Sequence, residues 1–379
     1  MMNFIMFKDI LLYATDTYFH IIAEDMGQFL PIYVGSRRIR EDLPLDEKRI
    51  KVLNKGTWFG WLREAVFKTT GLAFGLIRAL KPYKPAFIHA HYGFGGVLSL
   101  PIQRSLNIPL IVTFHGHDAT AKDEADNEYY THRLYVRKRK ILQERAALFL
   151  AVSDFIKSKM IAQGYPEHKI VTHYLGIDLD FFKPDPTIPR KQLVLFVGRL
   201  VENKGGEYLI RAMEQVQQSS PETELIVIGE GDLREALEVQ AEYSLTNYQF
   251  IGTQSQESVR AWLNQAKVLC VPSITIESGK SEGFGQVFIE ANAMGVPVVS
   301  FATGGIPEAV EHGKTGYLLP ERDWSGLAKH ILLLIQSESL WQQFSEQGMK
   351  RVSAEFNLSI QKKKLEHIYD QFLIRDSSM

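Results

Sequence analysis

The chain has 379 residues, enough for two domains, and its 45% hydrophobic and 23% charged residues exclude a disordered or fibrous protein. The 43 lysines and arginines balance 44 aspartates and glutamates, so no overall positive field favours nucleic acid as a partner. The single cysteine, Cys270, excludes an internal disulfide framework, and its apolar neighbours predict a buried strand residue rather than a nucleophile.

The amino end has no basic region ahead of its apolar residues and no small-residue cleavage site, so we do not expect a signal peptide. No run of 18 uncharged apolar residues occurs along the chain. We therefore expect a cytoplasmic protein whose membrane contact is peripheral, at the inner face of the cytoplasmic membrane.

From Pro85 onward, short β-branched runs alternate with amphipathic helical segments. The predicted strands form two series, residues 86–89, 109–114, 148–152 and 170–172, then residues 193–197, 225–228, 248–251, 268–271 and 296–300. These runs are apolar at nearly every position, which is typical of parallel sheets covered by helices on both faces. The pattern predicts an α/β doubly wound fold with two sheets, no strand after Ser300, and two helices from about residue 340.

A proline-rich segment separates the two series. Residues 183–190 hold three prolines, which deny a sheet the backbone donors it needs and stiffen an exposed connection. We predict a first domain over residues 1–183, a linker over 184–190 and a second domain over 191–355.

The loop after the first strand of the second domain carries two cations. Arg199 and Lys204 stand five residues apart, next to Gly198 and ahead of a helix that starts at about Glu207. Because doubly wound sheets bind ligands at the carboxyl ends of their strands, this loop predicts a binding site for a diphosphate. A plain solvated loop is the alternative.

The loop after the following strand contains Gly229 and Gly231 and begins like a dinucleotide fingerprint. Arg234 stands where the third glycine belongs, and the loop follows the second strand of its domain instead of the first. The motif is therefore a weak indication of NAD.

A second glycine-rich loop leads into a helix that reaches about Met294. It contains Glu282, Gly283, Phe284 and Gly285, with Glu290 about one turn inside the helix. The first turn offers free amides to an anion, and the two carboxylates suit a sugar and a ribose.

The turn from Gly304 to Glu308 follows the next strand and includes Gly305. Pro307 suits the first position of a helix. Glu308 is either a ligand contact or an ordinary carboxylate at a helix start.

Four histidines and an aspartate end two strands of the first domain: His89, His91, His115, His117 and Asp118. His-x-His pairs without a third spaced ligand are too generic to indicate a catalytic metal. A ligand-facing role is the better interpretation of His115, while His117 and Asp118 either cap the loop or line the site.

Together these motifs resemble the retaining glycosyltransferases of the GT-B fold, in glycosyltransferase family 4. The resemblance rests on Arg199 to Lys204, the pair Glu282 and Glu290, the turn from Gly304 to Glu308, and Phe114-His115-Gly116. The stretch from His89 to Gly93 is further similar to the branch that includes colanic-acid-type exopolysaccharide enzymes. Where the wider family often has a Gly-Gly loop after the first strand, this chain has residues 14–19.

The resemblance implies two Rossmann-like domains facing a cleft, with a C-terminal helix over residues 356–379 packing back on the first domain. It implies that a UDP- or GDP-linked sugar binds the second domain, that a glycan or a polyprenyl-diphosphate-linked saccharide binds the first, and that transfer retains the anomeric configuration. No cofactor and no metal are then required.

The resemblance also implies roles for individual residues. Arg199 and Lys204 stabilise the leaving phosphate, Glu282 binds hydroxyls of the donor sugar, Glu290 binds the ribose, and His115 reaches the sugar. Further donor contacts are expected from Gly198, Gly229, Gly231, Gly283, Phe284, Gly285, Gly305 and Glu308, and acceptor or cleft contacts from Asp16, His91 and Asp118.

Three other functions fit part of this pattern. A GT-B nucleotide-sugar 2-epimerase shares the fold and the donor site but needs no acceptor. A non-catalytic nucleotide-sugar-binding protein would show no turnover, and an NAD oxidoreductase would bind NAD.

Two segments are candidates for membrane docking. Residues 55–68 mix Trp58, Trp61 and two phenylalanines with lysine and arginine, as interfacial helices do, although Trp58, Trp61, Leu62 and Ala65 equally describe a buried stripe. Residues 129–140 are strongly basic with interleaved tyrosines, and we expect charge reversal there to weaken binding to anionic liposomes. Lining the acceptor cleft is the alternative role of this segment.

Overall fold

The computed structural model of the protein describes residues 1–11, 17–39, 45–124 and 129–376. They form two compact units. The first comprises residues 1–176 and the segment from residue 359 onward, and the second comprises residues 177–358. Each unit is built around its own parallel sheet, as the two series of apolar runs predict.

Eight strands of the described chain make up the first sheet. They are β1 (Met2–Phe7), β2 (Ile10–Leu11), β3 (Phe29–Arg38), β4 (Ile50–Asn54), β5 (Ile88–His91), β6 (Leu110–Phe114), β7 (Leu148–Ala151) and β8 (Ile170–Thr172). Their order is β2-β3-β1-β5-β6-β7-β8, with β4 also paired to β3. The chain starts at β1, builds one side of the sheet, and then crosses to β5 on the other side. This reversal creates a topological switch point between β1 and β5, where such sheets bind ligands.

The helices that connect these strands are α1 (Thr17–Ile21), α2 (Trp58–Thr70), α3 (Phe74–Leu80), α4 (Gly93–Leu106), α5 (His117–Thr120), α6 (Tyr130–Arg145) and α7 (Asp154–Ala162). Every residue of β5 and β6 is buried. That pattern is expected when helices cover both faces of a parallel sheet.

The second unit repeats this plan with six strands in the described chain. They are β9 (Leu193–Val197), β10 (Glu224–Ile228), β11 (Tyr248–Gly252), β12 (Val268–Cys270), β13 (Val298–Phe301) and β14 (Gly316–Leu319), in the order β11-β10-β9-β12-β13-β14. The helices are α8 (Gly206–Ser219), α9 (Arg234–Ser244), α10 (Gln256–Gln265), α11 (Gln286–Ala293), α12 (Ile306–Ala309), α13 (Trp324–Gln336) and α14 (Glu338–Arg351). The switch point of this sheet lies between β9 and β12.

The last helix, α15 (Leu358–Asp376), packs on the first sheet. Tyr369 is fully buried, and its ring centre lies 4.7 Å from that of Phe87, 5.2 Å from that of Phe29 and 5.6 Å from that of Phe4. Aromatic pairs at such distances add to the free energy of unfolding beyond the area that they bury. The C-terminal helix thus returns to the first unit, as the resemblance implies.

The structure differs from the sequence-based expectations of strand positions in two places. The expected strands start at Pro85, whereas four strands precede it. The expectation of no strand after Ser300 is wrong, because Gly316–Leu319 pairs with β13. This strand has only four residues and begins with glycine, so it lacks the apolar run that marks the others.

The predicted linker, residues 184–190, belongs to the second unit, and the chain passes between the units at residues 176 and 177. Arg190 donates hydrogen bonds to the carbonyl oxygens of Leu263 and Met294, and the amide of Asp185 donates to Asn264 Oδ1 at 2.8 Å. These contacts fix the proline-rich segment on the second unit, instead of leaving it as an exposed connection.

The stripe at Trp58, Trp61, Leu62 and Ala65 on α2 exists, but it faces solvent. Trp58 is 73% exposed and Trp61 53% exposed, so the buried-stripe interpretation is wrong. Across residues 1–11, 17–39, 45–124 and 129–376, none of the helices combines the length and the apolar composition of a membrane-spanning segment.

Candidate active site

The loops after β9 and β12 meet at the switch point of the second unit. Lys204, from the first loop, forms an ion pair with the Glu282 carboxylate, from the second, 78 residues further along the chain. Both side chains are largely buried, with 17% and 15% exposure. The structure therefore brings together a predicted phosphate-binding cation and a predicted sugar-binding carboxylate.

Arg199 lies in the same loop as Lys204 but points outward. Its side chain is exposed and makes no ion pair or hydrogen bond with the residues that the structure describes. An arginine without a partner at a switch point carries an uncompensated positive charge that can meet an anionic ligand.

Gly229 and Gly231 support this loop by close backbone approach. A Cβ added at Gly229, where φ is 141°, would lie 1.9 Å from the carbonyl oxygen of Gly198. The amide of Leu200 also donates to the carbonyl oxygen of Glu230 at 2.9 Å. The two glycines thus hold Gly198 and Arg199 in place, a role that the fingerprint comparison did not predict.

The turn at Gly304 and Gly305 holds the loop that carries Glu282. The amide of Gly305 donates to the carbonyl oxygen of Glu282 at 2.9 Å, and a Cβ at Gly304, where φ is 59°, would lie 2.1 Å from that oxygen. Only glycine fits there. The carboxylate of Glu282 is therefore positioned from both sides, by Lys204 and by its own backbone.

Phe284 is one of the expected donor contacts, and its side chain lies in the core. It is 1% exposed and its ring centre lies 5.4 Å from that of Phe356. The ring anchors the loop from beneath, while Gly285, at φ 85°, turns the chain into α11. Gly283 lies beside it in the same loop and is buried.

Glu290 lies in the second turn of α11. Its carboxylate makes no hydrogen bond with the described residues, and burial raises its pKa to about 7. Such a group gains from a ligand hydroxyl that satisfies its oxygens. Glu308 lies in the short helix α12, where the Arg351 guanidinium donates to its carbonyl oxygen at 2.6 Å.

The first unit carries a column of histidine rings at the switch point between β1 and β5. The ring centres of His89 and His91 are 4.6 Å apart, and those of His91 and His115 are 5.0 Å apart. His89 Nδ1 lies 2.6 Å from the Tyr369 hydroxyl, and its Nε2 lies 2.6 Å from Thr113 Oγ1. Tyr369 and Thr113 therefore support the column, which the motif search did not foresee because one of them lies 280 residues away.

His91 orients His115. His91 Nδ1 lies 2.8 Å from His115 Nε2, while His91 Nε2 is buried and has no hydrogen-bond partner in the part of the chain that the structure describes. A buried N–H without an acceptor costs more than a bare lone pair, so the proton of His91 belongs on Nδ1. His115 then accepts at Nε2 and keeps its own proton on Nδ1, as a donor.

Asp118 is a loop clamp. Its Oδ1 accepts hydrogen bonds from the amides of His115 at 3.1 Å and Gly116 at 2.9 Å, and its Oδ2 accepts from Gly93 at 2.9 Å. Burial raises the pKa of Asp118 to about 6, although these N–H groups act in the opposite direction. His117, next to it, is exposed, and Asp16 lies outside the described residues.

Lys8 is a buried cation at this site that the motifs did not single out. It follows β1, and its Nζ lies 5.3 Å from the centre of the Tyr92 ring. Burial and the charge of Lys8 lower the pKa of His115 to about 3. Burial lowers the pKa of His89 to about 3 and that of His91 well below its ordinary value. Among the described residues, no three His, Cys, Asp or Glu side chains group as a metal site would require.

The buried histidines predict that acid destabilises the first unit. His173 Nε2 lies 3.0 Å from the Gln361 carbonyl oxygen, and burial lowers its pKa to about 4. A depressed pKa stabilises the fold above the unfolded value, near 6.5, and this stability is lost as the pH falls towards 4. We expect His173→Gln, which keeps a donor, to reduce the slope of unfolding free energy against pH by about 1.4 kcal/mol per pH unit in that window.

Urea unfolding of both proteins at several pH values measures this slope. Asp118 and Glu290 contribute to this slope with the opposite sign. The slope of His173→Gln is therefore compared with the slope of the wild type, and its absolute value is not interpreted. His168→Gln, at an exposed position, is the matched control, and an unchanged slope in His173→Gln would contradict the neutral buried state.

Two protein families match the sequence. Glycosyltransferase Family 4 matches residues 32–181 and Glycosyl transferases group 1 matches residues 179–351. The amylovoran biosynthesis glycosyltransferase AmsK of Erwinia amylovora is 30% identical over 300 residues, which are 77% of this chain and 71% of that protein. The putative colanic acid biosynthesis glycosyltransferase WcaL of Escherichia coli is 30% identical over 68% of this chain, which spans 63% of WcaL, less than two thirds of its length.

Solved structures show the same fold. HepE of Anabaena, in complex with UDP and glucose, has a TM-score of 0.77 and 19% identity over 97% of this chain and 99% of its own. Sucrose-phosphate synthase of Thermosynechococcus elongatus has a TM-score of 0.71 and 23% identity over 91% and 90%. The chain therefore belongs to the group 1 and family 4 glycosyltransferases and has the GT-B fold of two Rossmann-like domains.

Proposed function

We propose that the protein transfers a sugar from a nucleoside diphosphate sugar, UDP- or GDP-linked, to a glycan or lipid-linked saccharide in exopolysaccharide biosynthesis. The observation that carries this proposal is the Lys204–Glu282 ion pair, which joins the two loops at the switch point of the second unit. Arg199 lies in the same loop as Lys204 and is exposed, and this supports its proposed role beside Lys204. The names of AmsK and WcaL support the polysaccharide class, and UDP with glucose in HepE supports the class of donor.

The charges match the chemistry of the leaving group. Cleavage of the bond between the sugar and the diphosphate develops negative charge on the phosphate, which preorganised cations and amides stabilise. Arg199, Lys204 and the first-turn amides of α11 supply that stabilisation, so we propose that the reaction needs no metal and no cofactor. Gly198, Gly283 and Gly305 allow the backbone to approach the donor, and Glu290 binds the ribose.

We further propose that the anomeric configuration is retained. Glu282 is ion-paired to Lys204 and is thereby assigned to the donor sugar's hydroxyls instead of to nucleophilic attack. The leaving phosphate then takes the proton of the acceptor hydroxyl on the same face of the sugar. His115, with its proton on Nδ1, donates a hydrogen bond to a sugar hydroxyl, and Glu308 contributes a further donor contact.

A lipid-linked acceptor requires access to the membrane. We propose that the acceptor is a glycan or a saccharide on a polyprenyl diphosphate carrier, and that the protein works in the cytoplasm with peripheral contact at the inner face of the membrane. His91 and Asp118 then shape the acceptor side of the first unit, and the role of Asp16 stays a prediction.

A donor screen tests the transfer reaction. Thermal unfolding with UDP- and GDP-sugars identifies the donor, because a ligand at 100 times its Kd stabilises by about 2.7 kcal/mol. Incubation of that donor with an oligosaccharide acceptor is then expected to give a product with the donor's anomeric configuration by NMR, unaffected by EDTA.

The same assay separates the alternatives. A 2-epimerised nucleotide sugar from donor alone would favour the epimerase, and binding without any product would favour a non-catalytic protein. Inversion of configuration would contradict retention, and loss of turnover in EDTA that zinc restores would overturn the metal-free proposal.

A further inference from the structure

Helix α2 exposes its apolar side. Trp58 is 73% exposed, Phe59 67%, Trp61 53% and Leu62 50%. The rings of Trp58 and Phe59 contact each other at 5.2 Å between centres. A contiguous group of exposed aromatic side chains on one helix is uncommon on a soluble protein and marks an interaction surface.

The opposite side of α2 is buried and combines the apolar Phe67 with the charged Glu64. Glu64 is 5% exposed, accepts a hydrogen bond from Asn54 Nδ2 at 2.8 Å and pairs with Lys68 at 2.8 Å. Lys68 also lies 3.0 Å from the Asp9 carboxylate. The helix is therefore fixed to the sheet by a charged network, and its outward-facing aromatic residues are not needed to hold it there.

An open pocket of about 460 Å³ adjoins this aromatic face. The described residues of its lining include Arg37, Arg38, Lys55 and Glu47, and Trp61 forms part of its wall. The guanidinium of Arg37 lies 5.3 Å from the centre of the Trp61 ring, and its Nε lies 3.8 Å from the Glu64 carboxylate. Arg38 pairs with Glu47 and Arg37 with Glu64, so the exposed Lys55 gives the described lining its net positive charge, which suits a phosphate.

The pocket and the aromatic face lie at the ligand-binding edge of the first sheet. Arg38 ends β3, Asn54 ends β4, and Arg37 is in register with Asn54. His91 ends β5 at the same edge, two strand spacings or about 10 Å from β3. A lipid phosphate in the pocket would thus lie at the same edge of the sheet as His91.

We propose that this surface, Trp58, Phe59, Trp61 and Leu62 with the pocket of Arg37, Arg38 and Lys55, docks on a lipid bilayer and binds the phosphate of a membrane lipid. Aromatic side chains enter the interface while adjacent cations meet the headgroups, which is the arrangement of interfacial helices. The proposal deepens the proposed function, because it rests on membrane contact and names the surface that makes it.

The rival segment on α6 is less suited to this role. It carries four consecutive cations, of which Arg139 pairs with Asp123, but it has no tryptophan to enter a membrane interface. Arg137 and Lys140 are exposed. They provide a matched set of cations outside the proposed surface.

Flotation of the full chain with vesicles tests the proposal, using phosphatidylcholine alone or mixed with phosphatidylglycerol. We expect binding to the mixed vesicles, weakened by salt. Arg38→Gln/Lys55→Gln is expected to lower the partition coefficient roughly thirty-fold, at about 1 kcal/mol per cation. Trp58→Ser/Phe59→Ser is expected to lower it about tenfold or more. Brominated lipids should quench the tryptophan fluorescence of the wild type more than that of the second variant.

Two controls complete the experiment. Arg137→Gln/Lys140→Gln on α6 and Tyr243→Ser, at an 87% exposed aromatic residue of the second unit, are expected to float as the wild type does. No flotation, flotation retained in both surface variants, or loss only in the α6 variant would overturn the proposal. Inhibition of flotation by glycerol phosphate with no salt effect would show a free phosphate site instead of a lipid site. Flotation uses neither donor nor acceptor, so its failure is distinguishable from failure of the transfer reaction.

Discussion

Arg199→Ala and Lys204→Ala are each expected to lower turnover by about a hundred- to a thousandfold while the protein stays folded. Removal of one preorganised donor to a developing oxyanion costs about 2.7 to 4 kcal/mol of transition-state stabilisation. Arg199 is exposed and has no partner among the described residues, so its loss should not disturb the fold. Steady-state kinetics with a soluble acceptor, together with thermal unfolding, measure both quantities.

The two variants differ in what they leave behind. Lys204→Ala leaves the carboxylate of Glu282, which is 15% exposed, without its cation, and this lowers the free energy of unfolding. The double variant with Glu282→Gln is expected to recover part of that stability. Lys314→Ala, which removes a lysine from a surface pair with Glu311, is the matched control and should keep normal turnover. Near-normal turnover in both Arg199→Ala and Lys204→Ala would refute the assignment of the diphosphate site.

Much of the fold could be predicted because strands of a parallel sheet are buried on both faces. Residues 193–197 and 170–172 coincide with β9 and β8 for this reason. Strand β14 was not predicted, since a four-residue strand that begins with Gly316 has no such apolar run. The linker was predicted in the wrong place, because the prolines of residues 184–190 do not reveal that Arg190 reaches the carbonyl oxygens of Leu263 and Met294.

The candidate site was predictable where strand ends carry charges. Parallel topology brings such ends to one edge, which is why Lys204 and Glu282 meet although 78 residues separate them. Roles that depend on side-chain packing could not be predicted from the sequence. The sequence does not show that Phe284 anchors its loop in the core, that Gly229 supports Gly198, or that the aromatic stripe of α2 faces outward.

Glu290 and Glu282 provide a second large effect, because the structure gives two nearby carboxylates different environments. Glu290 has no hydrogen-bond partner among the described residues and burial raises its pKa to about 7, whereas Glu282 is paired with Lys204. An unsatisfied carboxylate gains a hydrogen bond when a ribose hydroxyl binds, and bonds to charged groups contribute about 1.5 to 3 kcal/mol. We expect Glu290→Ala to weaken binding of the free nucleoside diphosphate about ten- to a hundredfold.

The matched variant Glu282→Ala is expected to act on the sugar instead. It should reduce transfer more than it reduces affinity for the free diphosphate, because the diphosphate lacks the hydroxyls that Glu282 is proposed to bind. Calorimetric titration of both variants with the diphosphate, beside their transfer rates, gives the comparison. The pKa of Glu290 also sets the direction in which diphosphate affinity changes with pH. The fraction of Glu290 in its carboxylate form, the better acceptor for a hydroxyl, increases as the pH rises through about 7. Diphosphate affinity should therefore strengthen with pH in that range in the wild type and not in Glu290→Ala. Equal losses of diphosphate affinity in Glu290→Ala and Glu282→Ala would contradict the separate roles proposed for the two carboxylates. The same pH dependence of affinity in the wild type and in Glu290→Ala would contradict them as well.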